Sequence, residues 1–123
     1  MAKPVKLPGP DHPITIEPHG ARVVVTAGGR VVANTRDAVA LREASYPPVF
    51  YIPRDDVDLT ALTRTEHATY CPYKGAAAYY SVPGERGTNA AWTYEDPYDA
   101  VSSIKDRLAF YPNRLDAIQE QPL

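Results

Sequence analysis

Thirteen prolines, the first at position 4 and the last at position 122, constrain the fold of this 123-residue chain more than any other feature. Proline fixes φ and has no amide hydrogen, so it breaks helix interiors and is excluded from the centre of a sheet. Their distribution excludes most long helices. We therefore expect a chain of short strands joined by turns.

A β-hairpin is the clearest local pattern. Two β-branched runs, 22–26 and 30–35, are separated by Ala27, Gly28 and Gly29. Glycine supplies the positive φ that a tight hairpin turn requires. No helix is expected after the glycine pair, so we interpret it as a turn rather than as a phosphate-binding loop.

Alternating apolar and polar positions predict further strands. The segment 37–43 fits a strand or a helix, and we favour a strand because Pro47 and Pro48 follow closely. Asp58 is a suitable N-cap for one helical turn. The remaining strands are expected at 14–17, 49–52, 69–72, 76–82, 90–94 and 115–118.

One helix is expected, over about residues 97–107. Asp96 is a good N-cap, and a proline follows it at the first helical position. Val101, Ile104 and Leu108 recur at helical spacing, which predicts that they face a sheet. The sum is a mainly β (β+α) chain, an antiparallel domain of seven to nine short strands with one helix in the C-terminal half.

The length fits one domain, since domains commonly have roughly 100–150 residues. We expect it at 13–118, between a flexible N-terminal tail at 1–12 and a C-terminal tail at 119–123. Lys and Arg total 13 and Asp and Glu total 15, which gives a net charge of −2. Proteins that coat nucleic acid or anionic membranes need a clustered basic surface, so neither partner is expected.

Cellular location is predicted from what the sequence lacks. A single cysteine cannot form an intramolecular disulfide. No apolar stretch approaches the roughly 20 residues that span a bilayer, and the N-terminal residues lack the apolar region of a signal peptide. We therefore expect a protein of the reducing cytoplasm.

Cys71 and Lys74 lie three residues apart across an expected turn, and they are the candidate catalytic residues. A nearby ammonium favours the thiolate, which is the nucleophilic form of cysteine. His67 would share a strand face with Cys71. The alternative is that Cys71 is a small buried apolar residue, as free cysteines commonly are.

Arg54, Asp55 and Asp56 follow the strand expected at 49–52. Two carboxylates beside an arginine suggest metal or phosphate chemistry, but adjacent residues of a strand face opposite sides. A turn would be needed to bring both carboxylates to one ion, and the alternative is a solvated strand exit. The three histidines and Cys71 have no spacing typical of a metal site, so no metal ligand is expected.

Six aromatic residues could either line a ligand pocket or pack across strands. Tyrosine combines an apolar ring with a polar hydroxyl, which suits both roles. The six are Tyr51, Tyr73, Tyr79, Tyr80, Trp92 and Tyr94.

These segments resemble the domain-of-unknown-function family 427 over about residues 13–118. The most specific element is Cys-Pro-Tyr-Lys-Gly at 71–75, followed about twenty residues later by Trp-x-Tyr at 92–94. The positions that match the family are Glu43, Tyr51, Arg54, Asp56, Cys71, Tyr73, Lys74, Trp92 and Tyr94.

The resemblance implies a β-tent-like fold, in which two sheets meet at an angle and a ligand lies near the seam. It also brings a nucleotidyltransferase-like family name. The paired cysteines of the zinc-binding β-tent domains are missing from this chain, so their zinc is not carried over. The Gly-Ser motif and spaced carboxylates of polymerase-like nucleotidyltransferases are missing as well.

Together these features predict a small cytoplasmic domain whose pocket binds a small anionic metabolite. Lys74 and Arg54 would supply positive charge, with Arg54 as a bidentate donor. The cofactor, if one is used, is unknown. Beside Cys71 and Lys74, the pocket is expected to contain Glu43, Tyr51, Arg54, Asp56, Tyr73, Trp92 and Tyr94.

Three alternatives stay open. Cys71 could serve an enzyme as a nucleophile or redox centre, activated by Lys74 or His67. Nucleotidyl transfer would require Mg²⁺ held by converging carboxylates, from Glu43, Asp55 and Asp56. A structural or interaction module would form a homodimer through the hairpin or a sheet edge. The other hypotheses are compatible with a monomer.

Overall fold

The computed structural model describes residues 3–123, and it confirms a mainly β chain in which all paired strands are antiparallel. The ten strands are β1 (Ile14–Pro18), β2 (Arg22–Ala27), β3 (Arg30–Thr35), β4 (Val39–Glu43), β5 (Val49–Tyr51), β6 (Thr63–Cys71), β7 (Gly75–Ser81), β8 (Ala91–Thr93), β9 (Leu108–Phe110) and β10 (Ala117–Gln121). Short 3₁₀ segments occupy Arg54–Asp56, Leu59–Ala61, Asp99–Ile104 and Pro112–Arg114.

The strands form three sheets, where two were expected. Their orders are β1-β4-β5, β10-β2-β3 and β6-β7-β8-β9. Prolines bound β5, which has only three residues, so it pairs with β4 but not with a further strand. The first and third sheets are joined by one bridge just after β5, where Ile52 and Leu108 exchange two backbone hydrogen bonds of 2.8 Å.

The hairpin and the strand at 39–43 are confirmed. β2 and β3 are joined by Gly28 and Gly29, whose φ values are +58° and +79°. A β-bulge interrupts their register between Val25 and Thr26. β4 pairs with β1 on one side and with β5 on the other, which buries Leu41.

The expected helix at 97–107 is wrong in type and extent. Asp99–Ile104 is 3₁₀, and Val101 departs from helical geometry with φ −125° and ψ 27°. Both flanks are bonded to other parts of the third sheet region: the Tyr98 amide donates to the Lys74 carbonyl in the β6–β7 turn, and the Asp106 amide donates to the Tyr94 carbonyl just after β8. The expected apolar positions, Val101, Ile104 and Leu108, are nevertheless fully buried.

Both expected tails contain residues that contact the domain. The Lys6 amide donates to the Pro72 carbonyl, and the Tyr70 hydroxyl donates to the Pro4 carbonyl. Residues 119–121 belong to β10 and pair with β2, so the last strand is displaced from the expected 115–118. The first two residues of the expected N-terminal tail lie outside the described part of the chain.

The interior contains two clusters of apolar side chains. One is centred on β2, β9 and the residue after β5, with Val23, Val25 and Ile52 fully or almost fully buried. The other contains Tyr51 and Tyr79. The two clusters meet beside β5, and this junction positions the site described next. Within residues 3–123, no helix has the length and apolar character needed to cross a membrane.

Candidate functional site

A cavity of about 630 Å³ lies where the three sheets meet. Each sheet contributes apolar walls, and the loop after β4 contributes a tyrosine and two prolines. Its lining includes Leu41, Val49 and Tyr51 from the first sheet, Val23, Val25 and Ile118 from the second, Tyr79, Trp92 and Phe110 from the third, and Tyr46, Pro47 and Pro48 from the loop.

Five of the predicted site residues line this cavity, and four do not. Those that line it are Glu43, Tyr51, Lys74, Trp92 and Tyr94. Cys71, Tyr73, Arg54 and Asp56 are outside its lining.

Lys74 and Glu43 form an ion pair at the polar side of the cavity. The Lys74 Nζ donates to Glu43 Oε1 over 2.5 Å, and Lys74 is only 8% exposed. The turn that presents Lys74 is held by its amide, which donates to the Cys71 carbonyl over 3.2 Å. Gly75 follows with φ +108°, a conformation that side-chain-bearing residues rarely adopt.

His12 is a third member of this polar group, and the sequence did not predict it. Its Nε2 lies 2.7 Å from Glu43 Oε2, so both oxygens of the carboxylate are engaged. The His12 ring stacks on Tyr73, with centroids 4.0 Å apart and planes 8° from parallel. Tyr73 therefore acts on the cavity indirectly, by supporting the histidine that contacts Glu43.

Two opposing effects set the charge of Glu43. Burial alone would raise its pKa, because desolvation disfavours the carboxylate. Hydrogen bonds from Lys74 and His12 act in the other direction and prevail, so the pKa of Glu43 lies below its ordinary value. Glu43 is therefore a carboxylate at neutral pH, and its negative charge lies against the Lys74 side chain.

Tyrosine hydroxyls supply the other polar groups of the cavity wall. The Tyr51 hydroxyl accepts a hydrogen bond from Trp92 Nε1 over 3.3 Å, and burial raises the pKa of Tyr51. Burial raises the pKa of Tyr94 in the same way. Burial and the neighbouring Tyr79 hydroxyl raise the pKa of Tyr111 to about 12. These phenols are protonated at neutral pH and can donate hydrogen bonds.

The Cys71 thiol is free and half-buried, and it packs against the cluster that contains Tyr51 and Tyr94. His67 is exposed, and its ring packs against Tyr79 with centroids 4.5 Å apart. The β6–β7 register shifts between Arg64 and Ala68, and regular pairing resumes from Ala68 to Cys71. The described side-chain contacts of Lys74 and His67 are with Glu43 and Tyr79, not with the Cys71 thiol.

Arg54 lies on the other side of β7 from Lys74. Its Nη1 donates to the Tyr80 hydroxyl over 3.3 Å. Successive strand residues face opposite sides, so Tyr80 points away from the face on which Tyr79 lines the cavity. Arg64 also contacts the Tyr80 hydroxyl.

The carboxylates proposed for a metal site lie apart. Asp56 Oδ2 accepts from Thr35 Oγ1 over 2.7 Å, and Asp55 is exposed in the same 3₁₀ segment. Glu43 is engaged by Lys74 and His12. Across residues 3–123, no group of three or more His, Cys, Asp or Glu side chains is arranged to hold a metal ion.

Sequence reasoning missed much of the apolar wall. Phe110 ends the buried strand β9 and Tyr111 follows it, but neither was predicted as a site residue, and Val23 and Val25 carried only a hairpin pattern. An alternating apolar strand indicates which face is buried, but not that the face borders a cavity. Tyr46 lies in the loop two residues after Ala44, which has a positive φ, and it is 66% exposed at the cavity wall.

Comparison with known protein families gives a match over most of the chain. A family model described as a domain of unknown function (DUF427) matches residues 15–121 of the chain. The match confirms the resemblance seen in the sequence, and the family name is of the nucleotidyltransferase type. No curated protein is significantly similar to the chain.

Proposed function

We propose that this chain, which belongs to the domain-of-unknown-function family DUF427, binds a small, mainly apolar molecule in the cavity between its three sheets. The observation that carries the proposal is the cavity itself, about 630 Å³ within a chain of 123 residues. Ligand pockets are commonly about 300–1,000 Å³, with apolar walls and a few placed polar groups. This cavity has that size and composition.

The charges support an uncharged ligand better than the anionic one expected from the sequence. Arg54, one of the two expected cations, contacts Tyr80 instead of the cavity. The other, Lys74, is paired with Glu43. An anion would enter an apolar cavity with no free positive charge among its described lining residues, and it would lose its hydration there.

The enzymatic alternatives have less support. Nucleotidyl transfer through two metal ions would require converging carboxylates, and Glu43 and Asp56 have separate partners. Thiol chemistry would need Cys71 to reach a bound molecule, and its side chain is not part of the cavity wall. We extend the proposal to a cytoplasmic location, supported by the single free cysteine.

Trp92 allows a direct test, because it is the only tryptophan of the chain and it lines the cavity. The probe is N-phenyl-1-naphthylamine, an uncharged aromatic dye whose emission rises in apolar surroundings and which accepts energy from tryptophan. We expect one dye to bind per folded chain, with energy transfer from Trp92. A dye bound elsewhere would not compete with small apolar molecules that fill the cavity.

Two valine variants provide the matched control. Val49→Phe adds a ring at the cavity wall, whereas Val31→Phe adds the same ring at an exposed position of β3. We expect Val49→Phe to weaken dye binding several-fold and Val31→Phe to leave it unchanged. Equal affinities in all three proteins, or no dye bound to the folded protein, would contradict the proposed function.

A further inference from the structure

The Tyr94 hydroxyl is a buried polar group that the cavity leaves open. Tyr94 is 5% exposed and lines the cavity, and its backbone is fixed because its carbonyl accepts the Asp106 amide over 3.0 Å. No hydrogen bond of its hydroxyl contributes to the pKa of Tyr94 among the described residues. No fully buried side-chain polar atom in residues 3–123 lacks a partner, so the Tyr94 oxygen must reach the cavity space.

Tyr51 lines the same cavity and carries a second hydroxyl. Its ring centroid lies 6.5 Å from that of Tyr94, and the two planes are inclined by 41°. The Tyr51 oxygen accepts from Trp92 Nε1, which leaves its own proton to be donated. Tyr79, another tyrosine of this wall, is already paired with Thr69 Oγ1 over 2.9 Å.

The hydroxyls of Tyr94 and Tyr51 are two neutral donors in one wall, and they favour a ligand that carries a hydrogen-bond acceptor. A phenol that cannot ionise within an apolar wall donates to a carbonyl oxygen without any change of charge. A carboxylate would have to give up its hydration and approach the Glu43 carboxylate, while the Lys74 ammonium is already paired with that group. A hydrocarbon would leave both donors unsatisfied, which costs binding free energy.

We propose, building on the proposed function, that the ligand is an uncharged, mainly apolar carbonyl compound whose carbonyl oxygen accepts hydrogen bonds from the hydroxyls of Tyr94 and Tyr51. The apolar part of the molecule lies against Trp92 and the aliphatic walls. Tyr94 is then the residue that distinguishes a carbonyl compound from a hydrocarbon of the same shape.

Three probes of similar size test this inference: acetophenone, which carries a neutral carbonyl; ethylbenzene, which lacks an acceptor; and benzoate, which is anionic. Each is titrated into isotope-labelled protein, and the dissociation constant is obtained from amide and Trp92 indole shifts. We expect acetophenone to bind about 5- to 150-fold more tightly than ethylbenzene, the ratio for two ordinary hydrogen bonds. Benzoate should bind most weakly.

Tyr94→Phe removes one oxygen and keeps the ring, so the preference for acetophenone over ethylbenzene should fall towards one. Tyr80→Phe is the matched control, because the Tyr80 hydroxyl contacts Arg54 outside the cavity lining, and it should keep the preference. Amide spectra of both variants establish that the fold is intact. Equal binding of acetophenone and ethylbenzene, tighter binding of benzoate, or an unchanged preference in Tyr94→Phe would overturn the inference while the proposed function stands. Absence of binding by all three probes would overturn both.

Discussion

A carboxylate that accepts one hydrogen bond from Lys74 and another from His12 forms the polar side of the cavity. Because these bonds hold the pKa of Glu43 below its ordinary value, the folded state favours the charged form. The resulting stability is present above the pKa of the unfolded carboxyl and is lost as the pH falls through the lower, folded pKa. Glu43 therefore links the stability of the fold to acid pH.

We predict that Glu43→Gln lowers the free energy of unfolding at pH 7 by about 2–4 kcal/mol, since it leaves a buried ammonium without its counter-charge. The difference from the wild-type protein should shrink as the pH is lowered from about 5 to about 2, because the wild-type carboxyl then becomes neutral. Urea unfolding at a series of pH values measures both effects.

Glu17→Gln, an exposed position on β1, is the control for removing a carboxylate. We expect it to change the unfolding free energy by less than about 0.5 kcal/mol throughout the same range. A deficit in Glu43→Gln that is equal at neutral and acid pH would mean that ionisation of Glu43 contributes nothing to stability.

Individual residues show which parts of the candidate site could be predicted from the sequence and which could not. Lys74 and Glu43 both lay in matched positions, so the resemblance selected them without stating that they pair. His12 was not found, because its contact spans 31 positions and it lies in a segment with no hydrophobic period. Arg54 contacts Tyr80, whereas the neighbouring Tyr79 lines the cavity, and the sequence spacing does not show which face of β7 an arginine from another segment meets.

The glycine turn of the β2–β3 hairpin allows two effects of substitution to be measured separately. One is the backbone strain of a positive φ, and the other is a steric clash with a neighbouring loop. Gly28 and Gly29 both have positive φ, so alanine at either position strains the backbone. A Cβ at Gly28 would lie 2.6 Å from the Pro83 Cβ, whereas a Cβ at Gly29 would meet nothing within 4 Å. The hairpin tip is thus packed against the loop after β7 on one side only.

We predict that Gly29→Ala destabilises the fold by about 1–2 kcal/mol, the cost of a left-handed alanine. Gly28→Ala should cost about 1–3 kcal/mol more, because it also forces apart the hairpin and the 83–84 loop. Thermal or urea unfolding measures the two values. Gly20→Ala, with neither strain nor a close neighbour, is the reference, and equal losses at positions 28 and 29 would show that the contact with Pro83 is unimportant.

Elements were predictable to the extent that local chemistry decides them. The hairpin was confirmed because two glycines in a β-branched context permit few alternatives. The helix was not, because Asp96, Pro97 and the apolar spacing describe a local preference that tertiary hydrogen bonds override. The amide of Tyr98 and the amide of Asp106 are bonded to the Lys74 and Tyr94 carbonyls, which leaves room only for 3₁₀ turns between them.

Three sheets in one small chain give many strand edges, and unpaired edges invite association between molecules. Two of these edges are covered from within. The Asp58 amide donates to the Val32 carbonyl on the outer side of β3, next to a bridge between Ala33 and Val57. The Ile52–Leu108 bridge joins the end of β5 to β9.

The remaining edges carry residues that discourage pairing. β1 ends at Pro18 and follows Pro13, and proline cannot extend a ladder. β6, the longest strand, is interrupted by the register shift between Arg64 and Ala68 and exposes Glu66. β10 is polar over residues 119–121. Charged side chains and bulges are the features by which soluble proteins protect such edges.

Because every strand edge is either covered or protected in this way, we predict a monomer rather than the homodimer that the sequence also allowed. Sedimentation equilibrium across the micromolar range should give the chain mass of 13.5 kDa. Glu66→Val should promote self-association, because it removes the exposed charge from the longest edge. Lys105→Val places the same apolar side chain at an exposed position away from the strands and should remain monomeric.

A wild-type dimer would contradict the prediction and would place an interface on one of these edges despite its proline, bulge or charge. In that case, Glu66→Val and substitutions in β1 and β10 would identify which edge pairs, by the change each makes in the dissociation constant.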